Sequence, residues 1–313
     1  MPEMISTRTG FGRGLIELAE SRDDILVASA DTYRSFALGA FVERWPERYF
    51  EFGIAEQNMI TACAAMAAEG YKVYAVGYSP FLSMRAVEQI RTFAAYPGLD
   101  LKVVSGLSGL SGDSDGVTHQ GTEDIGMMRA IPNVTLLSPA DATAAREMAK
   151  SAADIPGTVY LRLGRGATPV IYGPERSFPV GHIGVAADMG RDALIVATGS
   201  CVGEAMLAAE KLSREGIGAT VLDVWTIKPL NADELAAACE GAGCVLSVED
   251  GSIYGGLGGA VAETLAERRP DCGPFRRLGM TGFGTAGTYP ELLRYFSLDS
   301  EGIYRAVREL LDR

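Results

Sequence analysis

The chain has 313 residues, 47% of them hydrophobic and 22% charged, which is enough apolar material for a sizeable core and enough length for two domains. A formal net charge of -12 argues against nucleic acid or an anionic membrane as partner, since neither is drawn to a negative surface. Phosphorylated small molecules stay open, because a local arginine cluster can override the global sign. The five cysteines, at 63, 201, 239, 244 and 272, are odd in number and lack metal-ligand spacing, so a reduced, cytoplasmic setting is expected. MPEMISTRTG has neither the basic segment nor the apolar run of a signal peptide, and no window holds the roughly 18 apolar residues of a membrane span.

In chain order, DILVASA, KVYAV, LKVVSGL, NVTLLS and TVYLRLG read as strands, and residues 35–44, 55–69, 81–95 and 141–153 as helices. The alternation predicts a mostly parallel sheet covered on both faces. After Gly164 the stretch GRGATPVIYGPERSFPVGHIG, rich in Gly and Pro, suits a linker with a short hairpin. A second series then begins: ALIVATGS, a helix over 202–215, the strand ATVLDVWTI, a helix over 231–239, GCVLSVED, a helix over 256–267 and a last helix from about 300. The expected fold class is α/β, with two doubly wound domains over 1–170 and 191–313 and a linker at 171–190.

The helix at 55–69 poses a chemical question. Met59, Ile60, Cys63, Ala64, Met66 and Ala67 would surround most of its circumference, so its first turn, holding Glu56, should be buried as well. One explanation is an acid complementing the helix dipole. A capping box does not fit, because Gly53, three residues earlier, has no hydroxyl. The other explanation is a carboxyl group held among apolar neighbours, where loss of water favours its neutral form and lets it share a proton with a buried ligand.

The second informative stretch, SGLSGLSGDSDGVTHQGTED at 105–124, follows a strand and carries Asp113, Asp115 and His119, one of only two histidines. Loops at the carboxyl ends of parallel strands are where α/β proteins place ligands, although a solvated surface loop has the same composition. GDSDG at 112–116 has the form of a nucleophile elbow but lacks the strand leading in and the helix leading out. A calcium loop aligned on Gly116 would place Thr122 where a bidentate Glu is required. GFGTAG at 282–287 has the spacing of a dinucleotide loop without the strand-helix-strand context.

Taken together, these segments resemble the transketolase family of thiamine diphosphate enzymes over essentially the whole chain. STRTGFGRGL, ASADTYRS, FEFGIAEQNM, GYSPFLSMRAVEQIR and SDGVTHQGTEDIGMMRAIPNV follow the order of the family's pyrimidine-binding domain, and LDVWTIKPL with VEDGSIYGGLGGAVAE that of its carboxy-terminal domain. The resemblance implies that Glu56 is the catalytic glutamate that hydrogen-bonds the cofactor's aminopyrimidine. That contact promotes the imino tautomer, which takes the proton from the thiazolium carbon. It implies that Tyr78 and Phe81 sandwich the pyrimidine, that Asp31 lies near the thiazolium ring, and that His119 and Asp115 contact the ketose carbonyl and hydroxyls. Arg8, Ser35 and Arg165 match substrate-phosphate contacts, for which paired guanidinium groups are apt. Without the family, Tyr78 and Phe81 could equally be core aromatics, Asp31 a turn residue and the arginines surface charges.

The sequence also departs from the family. Leu107 stands where many members have a further phosphate-binding histidine, and the segment from Phe81 to Arg85 is one residue longer than in some relatives. No Gly-Asp-Gly with a downstream Asn is present to hold diphosphate and Mg2+: the only asparagines are Asn58, Asn133 and Asn231, and EDG at 249–251 has none after it. A hard cation on a diphosphate needs such oxygen ligands. The expectation is therefore the carboxy-terminal subunit of a split transketolase, with no metal ligands of its own. Its partner would be an N-terminal subunit carrying the diphosphate and Mg2+ site, in a heterotetramer acting on sugar phosphates. A deoxyxylulose-phosphate-synthase-like subunit and a 2-oxo-acid dehydrogenase beta-type subunit are the neighbouring alternatives. A non-catalytic homologue and a serine hydrolase at Ser114 are more distant ones.

Overall fold

The computed structural model describes residues 3–269 and 272–312. The β-branched runs pair side by side as parallel strands. Ile25–Ser29, Lys72–Tyr78, Leu101–Gly106, Val134–Leu137 and Thr158–Arg162, joined by Tyr49–Glu51, form most of a seven-stranded sheet. Its order runs from Val134–Leu137 through Thr158–Arg162, Leu101–Gly106, Lys72–Tyr78 and Ile25–Ser29 to Tyr49–Glu51, all parallel. Ile25–Ser29, Leu101–Gly106 and Thr158–Arg162 are buried along their whole length, as helices on both faces require. A second sheet of five strands has the order Phe275–Met280, Cys244–Ser252, Ala193–Ala197, Ala219–Asp223, Gly184–Asp188, and only its last strand is antiparallel.

The run ATVLDVWTI, expected as one strand, is two. Ala219–Asp223 stays in the second sheet, while Thr226–Lys228 crosses to the first and pairs antiparallel with Val134–Leu137. Trp225 at the crossing explains the break. It is 2% exposed, its ring packs on Phe178, and its indole N–H donates to Pro179 O at 2.9 Å. Within the expected linker, Gly184–Asp188 forms the antiparallel edge strand. Ala167–Pro169 pairs with Met4–Ser6 instead of folding back as a hairpin.

Three helical segments also differ from expectation. Residues 35–44 are interrupted at Ala37, whose φ of 57° is left-handed, leaving a turn over Tyr33–Phe36 and a short helix over Gly39–Arg44. Residues 81–95 are helical but wide: Phe81–Arg85 and Ile90–Ala95 are π-helical, which is how a helix absorbs an inserted residue. Glu56–Ala68 buries Glu56, Met59, Ile60, Cys63, Ala64 and Ala67, yet Gln57, Asn58, Thr61, Ala65 and Ala68 lie on an open face. The small side chains of that face made the helix look interior all round.

The helix Thr7–Ser21 went unread because Gly10, Gly12 and Gly14 interrupt its pattern. The glycines are there for packing. A Cβ on Gly10 would stand 2.1 Å from Ala142 O, and one on Gly14 2.2 Å from Arg146 O, so this helix lies directly against the backbone of Ala142–Ser151.

The two sheets share one apolar core: Leu26, Ala75 and Val103 of the first cluster with Val196, Leu222 and Val245 of the second. A polar tie crosses the same seam. Arg162, 4% exposed, donates to both oxygens of Asp124 at 3.0 and 3.1 Å and to Asp250 Oδ1 at 2.8 Å, and the Tyr289 hydroxyl donates to Asp250 Oδ2 at 3.1 Å. Burial opposes the Arg162 charge, but the two aspartates outweigh it and raise its pKa further.

Candidate active site

The carboxyl ends of the first sheet's strands deliver the side chains singled out in the sequence. Asp31 follows Ile25–Ser29, Tyr78 ends Lys72–Tyr78, the 107–121 loop follows Leu101–Gly106 and Arg165 follows Thr158–Arg162. Glu56 opens the helix after Tyr49–Glu51. Asp31, Leu107 and Asp113 all adopt positive φ, at 58°, 59° and 37°, and this edge of the sheet thereby collects three strained non-glycine residues.

Glu56 is 2% exposed in the first helical turn, beneath Ala55, which offers no side-chain cap. Its Oε2 accepts from Arg85 Nη1 at 2.7 Å. The Arg85 guanidinium lies over the Phe81 ring, 4.4 Å from the centroid. The π-helical turn at Phe81–Arg85 brings ring and guanidinium together. The acid expected to share a proton at position 56 is buried as expected, and in this structure an arginine reaches it.

Phe81, Tyr78 and His119 form one aromatic cluster, with His119 centred 5.3 Å from Phe81 and 6.0 Å from Tyr78. Tyr78 and Phe81 themselves are tilted, 6.2 Å apart, on the half-exposed rim of the core. The Tyr78 hydroxyl and Ser35 Oγ are hydrogen-bonded at 2.9 Å, and His119 Nδ1 lies 3.0 Å from Thr118 Oγ1. Beyond Tyr78 come the arginines. Arg8 sits in the first turn of Thr7–Ser21, anchored where Thr7 Oγ1 accepts from Gly164 N at 2.8 Å. Burial lowers its pKa, opposed by Tyr78, and its Nε is a buried donor without a partner, a group that an incoming anion would satisfy. Arg165 Nη1 donates to Asp115 Oδ2 at 2.5 Å, so these two residues meet each other here.

Of the nine candidate residues, Ser35, Tyr78, Phe81 and His119 are in contact, Asp115 and Arg165 pair with each other, and Arg8 lies within electrostatic reach of Tyr78, Arg165 and Asp115. Glu56 joins the aromatic cluster through Arg85. Asp31 shares a cleft with Thr32, Tyr33, Arg34 and Ser35, and its N–H donates to Glu51 Oε1 at 2.8 Å.

The 105–124 loop is packed at its two ends, while Asp113 through His119 between them are partly or fully exposed. Leu107 through Gly112 are buried, and a Cβ on Gly109 would meet Asp250 Oδ2 at 2.3 Å, so the second domain presses on the loop. GFGTAG belongs here too: Gln120 Nε2 donates to Thr285 O at 2.8 Å, tying the loop to the second domain next to His119. The sequence carried no sign of that contact beyond the unexplained glycines. Ser114, the residue of the rejected elbow, receives only an Asp113 carboxylate on its N–H. Among the described residues no group of three or more His, Cys, Asp or Glu could hold a metal ion, and no helix is long and apolar enough to cross a membrane.

Two doubly wound α/β domains gather charged and aromatic side chains at carboxyl strand ends, the place where such folds bind ligands. The chain belongs to the transketolase family: residues 3–170 match the transketolase pyrimidine binding domain and residues 181–303 the transketolase C-terminal domain. It is 39% identical over 305 residues to a putative transketolase C-terminal section of Methanocaldococcus jannaschii, covering 96% of this chain and 95% of that one. It is 34% identical to one of the subunits of an apulose-4-phosphate transketolase from Phocaeicola vulgatus, covering 99% of both. Among solved structures it is similar to a split gene transketolase described as an inactive beta4 tetramer, at 35% identity and a TM-score of 0.91, covering 98% of this chain and 99% of that chain.

Proposed function

We propose that this chain is the carboxy-terminal subunit of a two-chain, thiamine-diphosphate-dependent transketolase. The assembled enzyme moves a two-carbon ketol unit from a ketose phosphate to an aldose phosphate. The observation that carries the reading is the single rim on which a buried acid, an aromatic pair, a histidine and two arginines follow one another from Glu56 to Arg8 and Arg165. When bound, the cofactor supplies the electron sink for cleaving the bond beside a ketose carbonyl.

The residues present fit one end of that cofactor. Glu56 holds or shares a proton at a ring nitrogen of the aminopyrimidine, and Phe81 and Tyr78 fix the ring by stacking. The slot already accepts a planar, nitrogen-rich group, since the Arg85 guanidinium lies on Phe81 and bonds to Glu56. Asp31 would serve the thiazolium side, as the family resemblance implies. His119 and Asp115 bind the substrate carbonyl and hydroxyls, while Arg8, Ser35 and Arg165 take its phosphate. The orphan Nε of Arg8 supports that assignment.

In this reading the diphosphate and Mg2+ would be held by a second polypeptide, one that carries the Gly-Asp-Gly and downstream Asn that this sequence lacks. An N-terminal transketolase subunit, in a heterotetramer of two copies of each chain, is the proposed partner. The open face of Glu56–Ala68 supports a covering chain, as do Ile54, 73% exposed beside it, and Met84, 41% exposed beside Arg85. The similar split gene transketolase, described as inactive in a beta4 tetramer, supports a need for a second kind of chain. The test is reconstitution with a chain carrying Gly-Asp-Gly and a downstream Asn, followed by product analysis with xylulose phosphate and ribose phosphate against pyruvate. Two-carbon transfer between the sugars is expected; turnover only with pyruvate would assign the chain to a deoxyxylulose-type enzyme. Full activity of this chain alone would refute the split.

A further inference from the structure

The Arg85 guanidinium occupies the place that the proposed function gives to the cofactor's aminopyrimidine. Its face covers Phe81, with Cζ 4.4 Å from the ring centroid, and its edge donates to Glu56 Oε2 at 2.7 Å. A guanidinium and an aminopyrimidine are both delocalised planes that stack on an aromatic ring and bring a nitrogen to a carboxyl group, the guanidinium as donor to the carboxylate and the ring nitrogen as acceptor of the acid's proton. The Phe81 face that Arg85 covers and the Glu56 Oε2 that it occupies cannot serve a second planar group at the same time.

The burial of the pair is asymmetric. The Glu56 side chain is 3% exposed and fixed in the wall, whereas the Arg85 side chain is 45% exposed and enters from the lip. Arg85 also sits at the end of a π-helical turn, Phe81–Arg85, that the helix then leaves through Ala86. A cation so placed can withdraw into solvent without disturbing the core, which Glu56 cannot do.

We propose that Arg85 is a built-in stand-in for the aminopyrimidine. In the cofactor-free subunit it satisfies the buried acid and covers the ring, and it swings out when the pyrimidine enters. The inference rests on the reading of Glu56 and Phe81 given above. Two consequences follow: the free chain avoids an unpaired buried carboxylate, and its affinity for the ring is reduced by the fraction of time the slot is closed.

The experiment is a calorimetric titration of thiamine diphosphate, at fixed Mg2+, into the reconstituted two-chain complex carrying wild-type, Arg85→Met or Arg85→Lys subunits. Arg85→Met should lower Kd by about two- to sixfold, the range set by a half-exposed ion pair. Arg85→Lys, which keeps the charge but loses the plane, should fall between. A second measurement, a Glu56→Gln/Arg85→Met double-mutant cycle on thermal unfolding of the free chain, reads the contact without any cofactor. Unchanged or weaker binding by Arg85→Met, in a complex with wild-type circular dichroism, overturns the stand-in, as does a cycle showing no coupling. A coupled cycle with no cofactor binding even by the wild-type complex removes the proposed function, and the stand-in falls with it while the ion pair survives.

Discussion

Two arginines of this chain bind buried carboxylates, and they do so on opposite terms. Arg162 is enclosed between Asp124 and Asp250 at the seam of the two domains, 4% exposed, with every partner buried. Arg85 reaches one buried acid from a half-exposed position and leans on an aromatic ring. Charges removed from water on all sides hold only as a complete set, because loss of one member strands the others. A charge that keeps one side in water can leave at small cost. The first arrangement fixes how the second domain presses on the 105–124 loop; the second leaves the slot beside that loop free to exchange its occupant.

The strongest challenge to this contrast is Arg162→Met. It leaves Asp124 and Asp250 buried without a cation and should cost about 3–5 kcal/mol in urea unfolding. A loss under about 1 kcal/mol, the range of an exposed pair, would show that the tie is ornamental.

A pH series probes the same seam. Burial pushes Glu249, whose oxygens accept from Leu257 N and Gly258 N, up to about 7. An acid whose folded pKa is raised stabilises the fold below its unfolded value and loses that contribution as pH climbs through the folded one. Glu249→Gln should therefore gain stability relative to wild type between about pH 4.5 and 7, by at most about 1.4 kcal/mol per pH unit, and hold a constant difference above that. A flat difference in thermal unfolding across the range would refute the shift.

Arg85→Met should lower the stability of the free chain by about 1 kcal/mol, well short of the Arg162 effect. The smallest effect is ionic. Raising salt from about 0.05 to about 0.5 M, roughly a threefold change in Debye length, should weaken the Arg85 contact by a few tenths of a kcal/mol and leave Arg162 unmoved. Equal salt responses in the two single variants would erase the distinction.

The contrast also explains what could be read from the sequence. The parallel strands were legible because long apolar runs bounded by turn residues have few other uses. Glu56 stood out as a carboxylate opening an apolar helix, and the aromatic, histidine and arginine positions came from motif order rather than from any local rule. Arg162 did carry a local signal, a cation inside the apolar strand TVYLRLG, which must find buried acceptors; Lys102 in LKVVSGL is its parallel, fully buried and donating to Ile155 O at 2.6 Å and Gly157 O at 3.0 Å. Other features were hidden for physical reasons. Thr7–Ser21 was masked by glycines chosen for helix contact, Phe275–Met280 is an edge strand too polar to show alternation, and Thr226–Lys228 changes sheets at a tryptophan whose packing partners are distant in sequence. Arg85 could not be placed because its role depends on one wide helical turn.

The central claim is that Glu56 acts on the cofactor's pyrimidine ring. Its most direct test is the exchange rate of the thiazolium C2 proton for deuterium, followed by NMR of thiamine diphosphate bound to the reconstituted complex. Replacing Glu56 with Gln should slow that exchange by about 100-fold or more, with the cofactor still bound; an unchanged rate in a fully loaded complex would contradict the account.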